Sequence, residues 1–90
     1  MEYRIEYLAE AEKELSKLPQ KHIVQILQKI DVLQYFGTTT GVKKLKGNQE
    51  FPLYRIRTGD YRVIFSVEKD RVVIVIIRIV HRKDVYKNFK

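Results

Sequence analysis

The spacing of the apolar residues changes twice along the chain, and this change limits the fold more than any other feature of the sequence. Over residues 1–7, apolar and charged residues alternate, as expected for a strand with one buried face. Over residues 8–33, the apolar residues recur every three or four positions, which is typical of amphipathic helices. Alternation returns over residues 53–67, and a nearly continuous apolar run follows over residues 72–80. A chain that passes from strand to helices and back to strands predicts an α+β fold.

The helical part is expected to form a hairpin of two helices. Pro19 should end the first helix, because proline lacks the backbone N–H and its ring clashes with the preceding turn. The second helix follows after a short break, and its apolar stripe should pack in the core. The stripe consists of Ile23, Ile26, Leu27, Ile30 and Leu33.

Three more strands are predicted to begin near Leu53, Tyr61 and Val72. The last strand is apolar on both faces apart from Arg78, which indicates a central position in a sheet. We therefore predict an antiparallel sheet in the order β-α-α-β-β-β, with the helical hairpin packed on one face. If the last strand is central, the first strand lies beside it. We expect one domain over residues 1–90.

Positive charge is concentrated in the second half of the chain. The net charge of +7 divides into −1 over residues 1–41 and +8 over residues 42–90. Such a distribution suits a polyanionic partner or a solvated basic surface. The absence of cysteine excludes disulfides, thiolate nucleophiles and cysteine-based zinc sites, and it is compatible with a reducing cytoplasm.

No membrane partner is expected. The longest apolar run, Val72 to Ile77, is far too short to cross a bilayer. The opening residues alternate in polarity and do not form a secretory signal.

The predicted hairpin around Gly59-Asp60 gathers three arginines. A two-residue turn at this point places Arg57 directly opposite Arg62, with Arg55 on the same face of the sheet. Like charges that face each other across a sheet destabilise it by up to about 1 kcal/mol. A bound phosphate would offset that cost, because the guanidinium fork fits phosphate oxygens. Alternatively, solvent keeps the three arginines apart, with Asp60 or Glu50 nearby.

Further basic residues surround this cluster in the sequence. A basic stretch before the hairpin contributes lysines, and the C-terminal tail adds a mixed basic and aromatic group. Aromatic rings next to arginines suit an unstacked RNA base. The stretch contains Lys43, Lys44 and Lys46, and the tail contains His81, Arg82, Lys83 and Tyr86.

The sequence predicts neither a cofactor nor a metal ion. It contains no glycine-rich phosphate loop, no HExxH pattern and no serine in a nucleophile elbow. Acidic residues of the second half are scattered at turns, which argues against a two-metal nuclease. His22 lies on a polar flank of the second predicted helix and is expected to be solvated.

The ordered set of motifs resembles the RelE branch of the RelE/ParE toxins over nearly the whole chain. The resemblance implies the RelE fold and a toxin of a bacterial or archaeal toxin–antitoxin pair. It further implies cleavage of messenger RNA in the ribosomal decoding site. The matching segments are Lys44-Leu45-Lys46-Gly47, Tyr54-Arg55-Ile56-Arg57, Gly59-Asp60-Tyr61-Arg62 and the tail from His81 to Tyr86.

The resemblance also implies roles for individual residues. Arg62 resembles the family's phosphate-binding arginine, and Arg82 resembles the arginine that stabilises the transition state or protonates the leaving group. Tyr86 resembles the tyrosine that stacks on or activates the nucleotide. Arg55 and Arg57 stand where the best-known member has lysines; we expect Arg57 in the catalytic set. RNA-binding roles are expected for Arg55, Lys43, Lys44, Lys46 and Lys83.

The lysine-to-arginine difference leaves the general base open. RNA cleavage by the 2′-OH needs a proton acceptor, and a guanidinium with a pKa above about 12 cannot serve. The candidates are Tyr86, His81 and a group supplied by the ribosome. His81 has the most suitable ordinary pKa, about 6.5; the alternative interpretation is a strand-end histidine without a role.

The leading hypothesis is a metal-free, ribosome-dependent endoribonuclease of a type II toxin–antitoxin pair, monomeric within the complex with its antitoxin. A second hypothesis is a ParE-like toxin that poisons DNA gyrase without cutting RNA. A third is an inactive toxin relic that binds RNA. The fold alone does not separate the three, because one fold hosts many functions.

Overall fold

A computed structural model describes residues 2–45 and 52–83. Two helices follow the first strand, and four more strands complete the described chain. The strands are β1 (Arg4–Tyr7), β2 (Lys43–Lys44), β3 (Leu53–Thr58), β4 (Tyr61–Glu68) and β5 (Val73–His81); the helices are α1 (Ala9–Ser16) and α2 (Gln20–Asp31), and a 3₁₀ segment (Val32–Thr38) follows α2.

The break between the two helices differs in detail from the prediction. Helix α1 ends at Ser16. A tighter turn of 3₁₀ type follows, in which the N–H groups of Lys17 and Leu18 donate to the carbonyl oxygens three residues earlier. Pro19 does not end α1. It is the N-cap residue directly before α2, since its carbonyl accepts hydrogen bonds from the N–H groups of His22 and Ile23. The fixed φ of proline suits the first residues of a helix.

The five strands form one mixed sheet in the order β1-β5-β4-β3-β2. The predicted central position of the last strand is confirmed, because β5 lies between β1 and β4. The prediction of a purely antiparallel sheet is wrong at one edge, where β1 runs parallel to β5. Parallel neighbours need a long crossover connection, and here the helices and the other strands separate β1 from β5 along the chain. The two-residue β2 was not predicted as a strand.

The core lies between the helices and one face of the sheet. Fully buried side chains from α2 and the 3₁₀ segment meet those of the central strands, and α1 packs along β5. Leu27 departs from the prediction, because 41% of it remains exposed. The largest buried members of this core are Phe65, Ile26, Ile30, Leu33, Ile56, Ile74 and Ile76. No helix in the described part of the chain is long and apolar enough to cross a bilayer.

Helix α1 completes the edge of β5 where β1 ends. Beyond Ile76, the backbone of β5 has no neighbour in β1, and the N–H of Ile79 instead donates to Glu14 Oε1 at 2.9 Å. The other carboxylate oxygen of Glu14 accepts from Arg78 Nε at 2.9 Å and Nη2 at 2.6 Å. These hydrogen bonds to the charged form raise the pKa of the Arg78 guanidinium. One carboxylate therefore joins α1 to the half of β5 that leads to Arg82.

Candidate functional site

The β3–β4 hairpin has the predicted register. Gly59 and Asp60 form the turn, and Gly59 adopts a φ of +61°, which favours glycine at the first position of a tight hairpin turn. Arg57 lies directly opposite Arg62. The local turn chemistry therefore brings two like charges together on one face of the sheet.

That face, called the arginine face, carries Arg55, Arg57 and Arg62 and lies opposite the helices. Its orientation follows from the alternation along β3, because Ile56 belongs to the core on the helix side. The short strand β2 adds another cation, since Lys43 pairs directly with Arg55. Two facing pairs of cations, Lys43 with Arg55 and Arg57 with Arg62, therefore lie next to each other on the arginine face.

Lys44 lies on the other side of the sheet from these cations. It pairs with Tyr54, whose ring packs against the helix-side core. Lys44 was expected among the RNA-binding residues, but the structure does not bring it together with the arginine face.

An irregularity in β5 brings Arg82 to the arginine face. The pairing of β4 with β5 shifts between Ile64 and Phe65, which oppose Arg78 and Ile76, so that Ile77 is an extra residue. Such a bulge inverts the alternation of the residues that follow. Val80 consequently lies opposite Arg62, and Arg82 follows Val80 by two positions.

A cleft of about 260 Å³ results at this end of the sheet. Three guanidinium groups line it, together with the turn and one aromatic residue. The lining residues are Arg57, Gly59, Tyr61, Arg62 and Arg82. Arg57, Arg62 and Arg82 were predicted for the site, and the structure brings all three together. Tyr61 was not predicted to contribute, although it belongs to the same hairpin motif.

The turn holds Arg82 in place through its backbone. The N–H of Arg82 donates to the carbonyl oxygen of Asp60 at 2.7 Å. The side chains form a looser pair, with Arg82 Nε 3.7 Å from Asp60 Oδ1 and both groups more than 60% exposed. An exposed pair of this kind adds little stability, so the guanidinium can exchange Asp60 for a phosphate at small cost.

His81 lies away from the cleft. It pairs with Tyr61 across β4 and β5, and its ring contacts the Tyr61 ring edge-on at 5.4 Å on the helix side. The His22 ring also packs against Tyr61, with the two ring centroids 5.2 Å apart. His22 is half-buried, so the expectation of a solvated histidine is wrong. The structure does not bring His81 together with the three arginines.

The remaining candidates lie beside the cleft or outside the described residues. Lys83 is exposed, and its N–H donates to His81 Nδ1 at 3.2 Å. Lys46 and Tyr86 fall outside the described residues. Across residues 2–45 and 52–83, no three histidine or acidic side chains are grouped so that they could hold a metal ion.

Comparison with known proteins places the chain in a family. Residues 5–86 match the profile of the ParE toxin of type II toxin–antitoxin systems. The chain is 31% identical to RelE1 of Methanocaldococcus jannaschii over 98% of its own length and 99% of the relative. The chain belongs to the ParE toxin family. Within the RelE/ParE superfamily this toxin is RelE-like, because its sequence and structural relatives carry RelE names.

Solved structures support the same assignment. The toxin superposes on RelE of the RelE–RelB complex from Pyrococcus horikoshii with a TM-score of 0.77 and 38% identity, covering 91% of this chain and 97% of that one. For RelE of the RelB–RelE complex from Methanococcus jannaschii, the TM-score is 0.72 at 27% identity, covering 94% and 99% of the two chains. The predicted fold class and family are confirmed, and the matched span includes the arginine cleft.

Proposed function

We propose that this toxin is an endoribonuclease that cuts messenger RNA on the ribosome. The single observation that carries the proposal is the cleft in which Arg57, Arg62 and Arg82 converge. Arg57 and Arg62 are direct cross-strand partners, and like charges in such a position repel by up to about 1 kcal/mol, a repulsion that a bound anion would offset. Planar guanidinium forks match the oxygens of a phosphodiester, and a cleft of about 260 Å³ admits such a group.

The reaction would be an internal transfer at phosphorus. The ribose 2′-oxygen attacks the neighbouring phosphate, a 2′-O–P bond forms, and the P–O5′ bond breaks. The products are a 2′,3′-cyclic phosphate and a 5′-hydroxyl end, and the reaction takes up no water. The three arginines would stabilise the additional negative charge of the phosphorane, an electrostatic contribution that is large in many active sites.

Proton transfer needs groups other than the arginines. The 2′-OH loses a proton and the 5′-oxygen gains one, whereas a guanidinium stays charged throughout. His81 does not line the cleft, and its ring packs edge-on against the Tyr61 ring on the helix side; both observations argue against its role as the base. We assign the proton acceptor to Tyr86 or to a ribosomal group and the stabilisation of the leaving 5′-oxygen to Arg82; the proton that this oxygen gains comes from the group that accepted the 2′-OH proton or from solvent.

A cognate antitoxin would neutralise the toxin. RelE of Pyrococcus horikoshii and RelE of Methanococcus jannaschii were both solved in complex with RelB. For this toxin we propose an antitoxin with an acidic or amphipathic segment that crosses the arginine face and covers the cleft. We further propose that one toxin monomer acts in the cytoplasm, where ribosomes and messages are found.

Mapping RNA ends after expression of the toxin tests the proposed activity. Cleavage should produce new 5′-hydroxyl ends within translated frames, and these ends should disappear when translation initiation is blocked. The alternative is gyrase poisoning, which the match to the ParE profile keeps in consideration. Intact messages together with double-stranded DNA breaks would establish that alternative and overturn the nuclease proposal.

RNA binding by the arginine face should depend strongly on salt. For single strands, each neutralised phosphate contributes about 0.7 to the slope of log affinity against log salt concentration. We expect Arg55→Ala and Arg57→Ala each to lower this slope by about that amount, measured by fluorescence anisotropy with an RNA oligonucleotide. Arg4→Ala is the control, because Arg4 pairs with Val73 at the other end of β5. Equal slopes in all four proteins would contradict a phosphate-binding face.

Two conservative substitutions test the proposed catalytic roles. Tyr86→Phe removes only a hydroxyl and should slow cleavage by roughly a hundredfold, the usual scale for the loss of an acid–base group. Arg82→Lys keeps the charge but loses the guanidinium fork, and should abolish growth arrest. Both variants should fold and bind antitoxin. Single-turnover cleavage on programmed ribosomes is the measurement, and wild-type rates would remove both residues from the catalytic set.

A further inference from the structure

Three clefts follow one another along the surface, and each shares a residue with the next. The arginine cleft shares Arg57 with a second cleft of about 480 Å³ at the outer edge of the sheet. The second shares Lys29 of α2 with a third of about 320 Å³ beside the 3₁₀ segment. The shared residues place the three clefts in a row, called the path, from the proposed site of cleavage to the end of α2.

The second cleft has the chemistry of a phosphate site. Four cations from three elements line it, and among residues 2–45 and 52–83 no carboxylate contributes to its lining. Gly41 has a φ of +83°, so the chain turns sharply before β2 and leaves the edge of β3 open near Ile56. The lining residues are Lys29, Gly41, Val42, Lys43, Arg55, Ile56 and Arg57.

The third cleft presents an aromatic ring. Tyr35 is 48% exposed and lines this cleft together with Lys29. Its backbone departs from helical geometry, with φ −108° and ψ 48°. Hydroxyl groups hold this kink, since Thr38 Oγ1 and Thr39 Oγ1 donate to the Tyr35 carbonyl at 3.1 and 2.9 Å. An exposed ring on a fixed backbone is a platform on which a nucleic-acid base can stack.

We propose that a single RNA strand follows this path, with one phosphate beside Lys29 and Lys43 and an unpaired base stacked on Tyr35. The inference rests on the proposed function, because it extends the same substrate from the arginine cleft. Alternating cations and an aromatic ring are the means by which proteins bind single strands without reading their sequence. The path therefore adds affinity away from the cut and selects an unpaired, extended strand.

Binding of uncleavable RNA of increasing length tests the path. We would use 2′-O-methyl oligoadenylates of two to eight nucleotides, measured by anisotropy. Affinity should rise with length until the strand reaches Tyr35. Tyr35→Leu, which keeps an apolar side chain but removes the ring, should weaken binding of the longer oligonucleotides by about tenfold, within the usual range for a lost stacking contact. Tyr35→Phe should bind as the wild type does.

Lys29→Ala tests the phosphate step of the path. It should lower the salt slope by about 0.7 for the longer oligonucleotides only, leaving the dinucleotide unaffected. Lys13→Ala is the matched control, because Lys13 is the last-turn lysine of α1 as Lys29 is of α2. A 2-aminopurine placed at successive positions should be quenched at the base that stacks on Tyr35, in the wild type and Tyr35→Phe but not in Tyr35→Leu.

Several results would overturn the path. One such result is that Tyr35→Leu and Lys29→Ala bind oligonucleotides of every length with the affinity of the wild type. Another is that these variants lose as much affinity for the dinucleotide as for the longer oligonucleotides. Weakened binding of an acidic antitoxin with unchanged RNA binding would assign this surface to a protein instead. The proposed nuclease activity is tested separately. A wild-type toxin that leaves messages intact would contradict that activity, and the oligonucleotide measurements would still decide whether RNA follows the path.

Discussion

Arg62→Ala is expected to abolish cleavage while the domain stays folded. Arg62 is half-buried and lies on β4, between the strand that carries Arg57 and the strand that leads to Arg82. Loss of one preorganised group that stabilises charge in a transition state slows a reaction by about a hundred- to a thousandfold. Single-turnover cleavage of message on programmed ribosomes should show this loss, and expression of the variant should no longer arrest growth.

The stability of the same variant separates a catalytic from a structural role. Arg62 faces Arg57 across the hairpin, so its removal relieves a repulsion while losing some packing of the side-chain stem. We expect the free energy of unfolding to change by no more than about 1 kcal/mol. Arg4→Ala is the control, because it also removes one arginine but lies 69% exposed on β1, paired only loosely with Glu6. Wild-type cleavage by Arg62→Ala, or its unfolding at growth temperature, would contradict the assigned role.

Glu14→Ala is expected to have the largest effect on stability among the surface substitutions. Its carboxylate accepts hydrogen bonds from the Arg78 guanidinium and from the N–H of Ile79, and both Glu14 and Arg78 are only 23% exposed. Truncation would leave a half-buried charge and an N–H at the sheet edge without their acceptor. Each such loss costs about 1–3 kcal/mol. Because Arg78 keeps its contact with Glu10 at 3.6 Å, we expect a total in the lower part of the summed range, about 2–4 kcal/mol.

Glu10→Ala is a matched control on the same helix. Glu10 also approaches Arg78, at 3.6 Å, but its side chain is 65% exposed and the contact is screened by water. This variant should lose less than about 0.5 kcal/mol. In a domain of this size, the Glu14 change should lower the melting temperature by roughly 10–25 °C. Equal melting temperatures for the two variants would show that the edge of β5 does not depend on Glu14.

Loss of Glu14 should also affect the cleft. The half of β5 that Glu14 holds leads directly to Arg82, whose position depends on β5 and on the Asp60 carbonyl. A residual effect on cleavage, measured well below the melting temperature of the variant, would identify Glu14 as a positioning residue. The effect would act through Arg82, because Glu14 itself lines none of the three clefts.

Local patterns in the sequence determined the elements and the hairpin that builds the site. Alternation and helical spacing identified the four longer strands and both helices, because burial of one face imposes a period on each element. The Gly59-Asp60 turn fixed its own register, because a two-residue hairpin leaves the flanking strands only one pairing. Arg57 and Arg62 could therefore be placed opposite each other from the sequence alone.

Tertiary structure decided everything that depends on pairing between distant segments. The parallel direction of β1 and the bulge at Ile77 are set by packing across the whole sheet, and no local pattern marks either of them. That one extra residue places Arg82 with the arginines and His81 on the helix side. Lys29 and Tyr35 likewise lie on the path only because α2 packs against β3. Contacts between residues far apart in the chain depend on how the elements pack, and no local sequence pattern determines them.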